Sequence, residues 1–226
     1  MSASAIRTSA ETIRPTPCSI PPSAGVEALD DRDLLARLLW RTDDPIRAAG
    51  DFLSRFGSLG AVLSADRSEL ARSGVAEPSA IDDLQVVREL AVRMARIEAS
   101  RRPVVTSWTA LQAYVRLALA HRPREEFRVL YLDHRNNLMR DEMVAEGTVD
   151  HAPVYPREVV RRALEVSASA MVLVHNHPSG DPTPSQADIA MTRKVVDAAQ
   201  ALGLQVHDHI VVGRDGTVSF RSLGLM

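Results

Sequence analysis

His175 and His177 close an apolar run, "AMVLVHNHP", and Ser185 and Asp188 follow across a proline-rich turn. On an extended strand residues two apart face the same side, so His175 and His177 project together and Asn176 points away. The turn "PSGDPTP" holds three prolines and one glycine, which stiffen it. Thr183, Pro184 and Gln186 read as a helix start, with Thr183 as N-cap, Pro184 at the first helical position and Gln186 three residues after the cap. Ser185 and Asp188, three apart, then share one helical face. Two neutral imidazoles and one carboxylate, with a fourth position open, match the ligand set of a catalytic zinc ion, one Zn2+ per chain. An ion held this way lowers the pKa of its water to about 7 and polarises a carbonyl. Ser185, outside the ligand set, is placed to hydrogen-bond a developing oxyanion. The set lacks a base, which has to be an acidic residue delivered from a neighbouring strand.

The elements that would position these groups form two units. From Asp30 to about Arg101 the pattern is helical. "DDRDLLARLLWRT" sets Leu34, Leu35, Leu38 and Leu39 on one stripe behind an acidic start, and "FG" at Gly57 stops the next helix. A long run, "SAIDDLQVVRELAVRMARIEA", repeats Ile81, Leu84, Val87, Leu90, Ala91 and Met94 at helical spacing. Arg101–Arg102–Pro103 breaks the pattern and marks a domain boundary. Beyond it, over residues 104–226, helices alternate with strands: "SWTALQAYVRLALA" and "PREVVRRALEVSA" are helical, "EFRVLYLDH", "RDEMVAEGTVD", "AMVLVHNHP" and "LQVHDHIVVG" are strands. That order predicts an α/β layered domain with a mixed sheet. Residues 1–29, rich in Ser, Thr and Pro, read as a disordered tail.

Composition narrows the function. The chain of 226 residues carries a formal net charge of −2 and only 4% aromatic residues, so neither a global basic field nor a stacking platform for single-stranded nucleic acid is expected. Cys18 is the sole cysteine, which excludes an intramolecular disulfide and a cysteine-rich zinc site. No apolar run approaches the roughly 20 residues that span a bilayer, and a cytoplasmic protein is expected.

With these residues in view, the segment resembles the JAMM motif of JAB/MPN-type metalloproteases: a Glu, then His-[Ser/Thr]-His, seven residues, Ser, two residues, Asp. His175, His177, Ser185 and Asp188 stand at those spacings. The stretch "GTVDHAPVYPREVVRRALEVSASAMVLVHNHPSGDPTPSQADIAMTRKVVDAAQALGLQVHDHIVVG" is similar almost throughout to the RadC branch of that superfamily, from about residue 104 onward. Asn176 departs from the general motif, but the RadC branch itself has His-Asn-His. The resemblance implies a cytidine-deaminase-like JAB/MPN fold, zinc, and hydrolysis of peptide or isopeptide bonds in a protein or peptide substrate.

For the base, "RDEMVAEGTVD" offers Glu142 and Glu146. Four residues apart, both face one side of an ideal strand, so alternation alone does not choose between them. The resemblance favours Glu142, which would take a proton from the attacking water and return it to the leaving amine while Ser185 steadies the oxyanion. His207 and His209 form a second same-face pair without a third ligand nearby. The resemblance instead places Asp208 and His209 beside the zinc pocket as hydrogen-bonding supports. His134 reads as part of a turn, and His121 and His151 carry no pattern. The chain lacks the Pro-Cys-x-x-Cys of a zinc nucleoside deaminase, and three adjacent residues do not make the longer unit of an HNH nuclease.

The same resemblance suggests a degenerate helix-hairpin-helix in the helical domain, a class of hairpin that binds DNA phosphates through backbone amides. The comparable stretch, "LARSGVAEPSAIDDLQVVREL", has Gly74–Val75–Ala76 where Gly-Ile-Gly is common, and Asp82 and Asp83 follow. Both changes weaken phosphate binding. The alternative function is a DNA-repair-associated or protein-interaction adaptor whose zinc is structural or vestigial. The sequence does not name the oligomeric state.

Overall fold

The computed structural model describes residues 25–147 and 154–226. Most of the expected tail, with Cys18, and His151 lie outside the described residues; residues 25–29 hold a single 3-10 turn, Val26–Ala28. The helical unit continues in short pieces: α1 (Asp31–Leu38), α2 (Pro45–Phe56), α3 (Leu59–Ser64), α4 (Arg67–Arg72) and the long α5 (Pro78–Ser100). Local chemistry sets the starts. The side chains of Asp30, Asp44, Ser58 and Asp66 accept the first free backbone N–H groups of α1 to α4. Gly57 ends α2 at φ +86°, a left-handed position that costs glycine little. Leu35, Leu39, Phe52, Val62, Leu70, Ile81 and Leu84 close one core.

Helix α5 serves two cores, and this displaces the packing boundary from the sequence boundary at residues 101–103. Its first turns, with Ala80, Ile81 and Leu84, belong to the helical core. Further along, Val92, Ala95 and Ala99 pack against the α/β unit. The apolar repeat expected through Leu90 and Met94 does not continue inward, and both side chains are exposed. The buried face rotates because a different neighbour receives it.

The α/β unit comprises α6 (Trp108–Leu119), β1 (Glu126–Leu132), β2 (Leu138–Glu146), α7 (Pro156–Glu165), β3 (Ala170–Asn176), α8 (Gln186–Gln200), β4 (Gln205–Val212) and β5 (Thr217–Ser219). The sheet order is β2-β1-β3-β4-β5, with β3 and β4 parallel and the other neighbours antiparallel. It is the mixed sheet expected from the alternating pattern. One face packs on α6 through Leu111, Tyr114, Val115 and Leu119, the other on α7 and α8 through Val159, Ala163, Val195 and Ala199. Because β3 is central and covered on both faces, all seven of its residues are buried, which accounts for its unbroken apolar run.

Three register shifts interrupt the pairing among the described residues, and two of them bear on the candidate site residues. Phe127 pairs with Ala145 but Arg128 with Met143, leaving Val144 as an extra residue in β2. Met171 pairs with Val206 but Val172 with Asp208, leaving His207 extra in β4. Each bulge shifts the facing of the residues beyond it by one position. His207 therefore points away from His209 and meets the Asn136 side chain at 2.6 Å, so the second same-face histidine pair does not exist in the folded chain. Asp208 likewise turns from the expected zinc pocket. Buried, it accepts from the Ser219 hydroxyl, from the Arg221 backbone N–H at 3.0 Å and from the His209 N–H at 2.7 Å, tying β4 to the C-terminal turn. Asp208→Ala is expected to destabilise the fold by about 2–3 kcal/mol, because it strands buried donors, while leaving metal content unchanged. Urea unfolding beside metal analysis checks both parts.

Candidate metal centre

His175 lies at the end of the buried strand β3, and His177 stands one step beyond it, where its backbone N–H still donates to Val212 C=O at 2.9 Å. The turn returns the chain to α8, whose first residues carry Asp188 back to the histidines. Thr183 is not the cap. Its N–H and hydroxyl bond Asp181 at 2.9 and 2.7 Å, and α8 begins at Gln186 with Ser185 as N-cap. Pro182 and Pro184 bracket Thr183 and hold it outside the helix. Ser185 and Asp188 form a reciprocal capping box. The Asp188 N–H donates to Ser185 Oγ at 3.1 Å, while the Ser185 N–H and hydroxyl each donate to Asp188 Oδ2 at 2.7 Å. Ser185 thus fixes the rotamer of Asp188, and its hydroxyl proton, expected at an oxyanion, sits on that carboxylate.

His175, His177 and Asp188 together could hold a metal ion. His175 Nε2 and His177 Nε2 are 3.0 Å apart, and the two Asp188 oxygens each lie 3.4 Å from one of them. Ligands about 2.0–2.1 Å from a tetrahedral ion stand about 3.3–3.4 Å from one another, so the triangle is close to the size such an ion requires.

Hydrogen bonds select the nitrogens. The His177 Nδ1–H donates to Asp181 C=O at 2.8 Å, leaving the Nε2 lone pair directed at the site. Behind His175 runs a chain of three bonds. The Thr192 hydroxyl donates to Asp188 C=O at 2.6 Å, so its oxygen accepts from His209 Nδ1–H at 2.6 Å. His209 Nε2 then accepts from His175 Nδ1–H at 2.7 Å, and His175 Nε2 is free for a cation. His209 is fully buried, and burial, with the neighbouring His175, pushes its pKa well below the usual value, so it stays neutral in this relay. His209, one of the two expected supports, is the one that reaches the site; Phe220 stacks on its ring at 4.5 Å.

The electrostatics are those of a cation site. Burial alone would raise the Asp188 carboxyl, but His175, His177 and Ser185 outweigh it and hold it well below the ordinary carboxylate range. The Asp188 carboxylate raises His177 against burial, and the charge of Glu125 adds to the effect. Two imidazole lone pairs facing a carboxylate call for a proton or a metal between them.

Glu142 is not brought to this group. It pairs with Val129, which pairs with Leu173, so it lies two strands across from β3 and two residues short of His175. That is about 10 Å across the sheet and roughly 7 Å along it. Arg162 of α7 clamps it with two bonds of 2.7 Å and lowers its pKa. Glu146 falls on the opposite face from Glu142 because of the bulge at Val144, and bonds Arg124 at 3.3 Å.

Glu125, just ahead of β1, is an acid whose charge acts on His177, and periodicity within β2 does not point to it. Phe127 pairs with His175 at the end of the β1–β3 ladder, and Glu125 lies two residues ahead of Phe127, in the direction His177 takes beyond His175. Asn176, buried between the two histidines and pointing the other way, fastens this segment. Its side chain accepts from the Glu126 N–H at 2.9 Å and donates to Arg124 C=O at 3.0 Å. The available signal is the pair Glu125–Glu126 at the start of an apolar strand, but it has meaning only once β1 and β3 are neighbours.

In the helical unit Asp82 and Asp83 pair with Arg67 and Arg41 at 2.7 and 2.9 Å. They neutralise basic groups beside the hairpin expected to meet phosphates. Among the described residues no helix is long and apolar enough to cross a membrane.

A mixed sheet between helices, with two histidines from a strand end and an aspartate from the next helix, defines a JAB-type domain with a candidate metal centre. Residues 105–225 match the family described as the RadC-like JAB domain. The chain is 52% identical over 208 residues to a UPF0758 protein of Rhodobacter capsulatus, covering 90% of this chain and 97% of that one. It is 49% identical over 208 residues to a UPF0758 protein of Ruegeria pomeroyi, covering 90% and 92%. The chain belongs to the RadC family of JAB-domain proteins.

His209→Phe removes the acceptor for His175 Nδ1–H and is expected to weaken metal binding by about 10–100-fold, as loss of a ligand's hydrogen-bond partner does; competition with a chromophoric chelator measures it. Metal must displace the proton from His177, whose pKa is raised above 6.5 in the metal-free protein. Affinity is therefore expected to be full above that raised pKa and to decline as pH falls through it, which the same competition followed against pH would show.

Proposed function

We propose that this chain is a zinc-dependent hydrolase of amide bonds, acting on a protein or peptide substrate. The observation that carries the reading is the convergence of His175 Nε2, His177 Nε2 and the Asp188 carboxylate, the histidine tautomers set by hydrogen bonds, with the charge of Glu125, from the segment entering β1, acting on His177. Zinc is favoured over harder ions by the two imidazole donors and the tetrahedral spacing. Bound there, zinc would polarise a carbonyl and make water a better nucleophile near neutral pH.

The residues around the ligands divide the remaining work. Glu125 accepts a proton from the attacking water and delivers it to the departing nitrogen, the role that the family resemblance gives to Glu142. Asn176 keeps Glu125 on the face of His177 by anchoring the backbone on both sides of it. Ser185 holds Asp188 in its ligating rotamer, and its hydroxyl becomes a donor to the oxyanion only by giving up the bond to Asp188. Glu142, paired with Arg162, braces β2 against α7.

Glu125→Gln is expected to keep zinc at one ion per chain and to lower hydrolysis of an amide reporter by about 10²–10⁴-fold, the usual contribution of general acid–base catalysis. Glu142→Gln should leave the chemical step nearly intact and mainly reduce stability. Zinc analysis and turnover of the two variants side by side decide the assignment. Full turnover in Glu125→Gln with none in Glu142→Gln would return the role to Glu142.

A further inference from the structure

The two chain segments that lead into the metal centre also wall a second cavity. A cleft of about 310 Å³ lies where the helical unit meets the α/β unit, lined by Arg55 and Glu69 on one side and His121, Arg122, Pro178 and Arg214 on the other. Arg122 is three residues before Glu125, and Pro178 immediately succeeds His177. Arg214 donates to Pro178 C=O and Ser179 C=O, both at 3.2 Å, and so lies against the loop that leaves His177.

The charge in the cleft is unbalanced. Among the described residues neither Arg55 nor Arg214 forms an ion pair. Arg122 Nε pairs with Glu126 Oε1 at 3.2 Å, so its charge is answered by a carboxylate that is not on the lining. Among the described residues Glu69 is the one carboxylate on the lining, against the unpaired Arg55 and Arg214. Burial, and after it the charges of Arg214, Arg88 and Arg116, push the His121 pKa down, with Glu69 opposing them. A chain of net charge −2 thus concentrates positive potential in one concave place, the arrangement that attracts an anion.

We propose that this cleft receives an acidic peptide segment of the substrate, with carboxylate side chains against Arg55 and Arg214 and the scissile amide directed past Pro178 to the metal centre. The assignment to substrate rests on the hydrolase reading above; the binding itself does not. Its volume, at the lower end for ligand pockets, suits about two side chains rather than a strand of nucleic acid. A track for phosphates needs basic groups and aromatic faces continuing beyond the cleft. Among the described residues Phe56 is the one phenylalanine, tyrosine or tryptophan on the lining, and Arg67 at the start of α4 is already paired to Asp82.

The test uses the full-length chain carrying Asp188→Ala, so that no turnover intrudes, and reads fluorescence anisotropy. Its probes are a labelled hexapeptide rich in Asp and Glu, the matching Asn/Gln peptide, and a single-stranded oligonucleotide of equal charge. The acidic peptide is expected to bind more tightly than the neutral one, and to weaken as salt rises from about 0.05 to 0.3 M. Adding Arg55→Glu should weaken it by about tenfold. Arg37→Glu, the same charge change at an exposed residue of α1 outside the cleft, should not. Equal losses in the two variants, or tighter binding of the oligonucleotide that Arg55→Glu abolishes, would overturn the proposal. Binding of the acidic peptide without hydrolysis by the zinc-loaded wild-type chain would leave the cleft standing and remove the hydrolase reading. Hydrolysis of a neutral amide reporter without preference for the acidic peptide would do the reverse.

Discussion

The 2.7 Å bond between His175 Nδ1 and His209 Nε2 decides which nitrogen of His175 faces the open side of the domain. An imidazole presents one lone pair, and the partner of the other nitrogen chooses which. That partner comes from β4, and its own orientation comes from Thr192 on α8, whose hydroxyl is held by the backbone of Asp188. The chain of bonds therefore begins and ends on candidate ligands, passing through two strands and a helix. Its buried position keeps water from offering alternative partners, so the orientation is set before any ion arrives.

The sheet arrangement meets the same requirement. Parallel β3 and β4 place His175 and His209 side by side, and the α8 crossover between them carries both Asp188 and Thr192. Antiparallel β1 on the other side of β3 pairs Phe127 with His175, and the segment entering β1 carries Glu125, whose charge acts on His177. One central strand, covered on both faces, thus receives every group of the centre from its immediate neighbours. The helical unit is joined to this domain by α5, whose latter half packs into the α/β core. Sharing a helix between two cores resists free movement of the units and keeps the cationic cleft at a defined place beside the site.

Much of this is legible in the chain. The alternation of helix and strand, the central apolar strand, the pairing of His175 with His177 and the approach of Asp188 come from residue types and local periodicity. The cap of α8 falls two residues beyond the expected Thr183, because Thr183 bonds back to Asp181 while Ser185 makes the reciprocal bonds to Asp188. Family resemblance finds His209, but Asp208 beside it braces the C-terminal turn instead.

Local sequence determined which elements form and which side chains are close neighbours along one strand or one helical turn, since those relations depend on dihedral periodicity alone. Tertiary structure decided everything that required knowing which strand lies next to which. Glu142 and Glu146 share a face on an ideal strand, yet an extra residue at Val144 separates them; His207 and His209 are parted by the same device. A bulge is a property of a pair of strands, set by how their two ladders and side chains fit, and no periodicity within one strand reveals it. The separation of Glu142 from the metal group belongs to that second category: it became visible when β2 was laid beside β1 and β1 beside β3, with Glu142 level with Leu173 and not with the histidines.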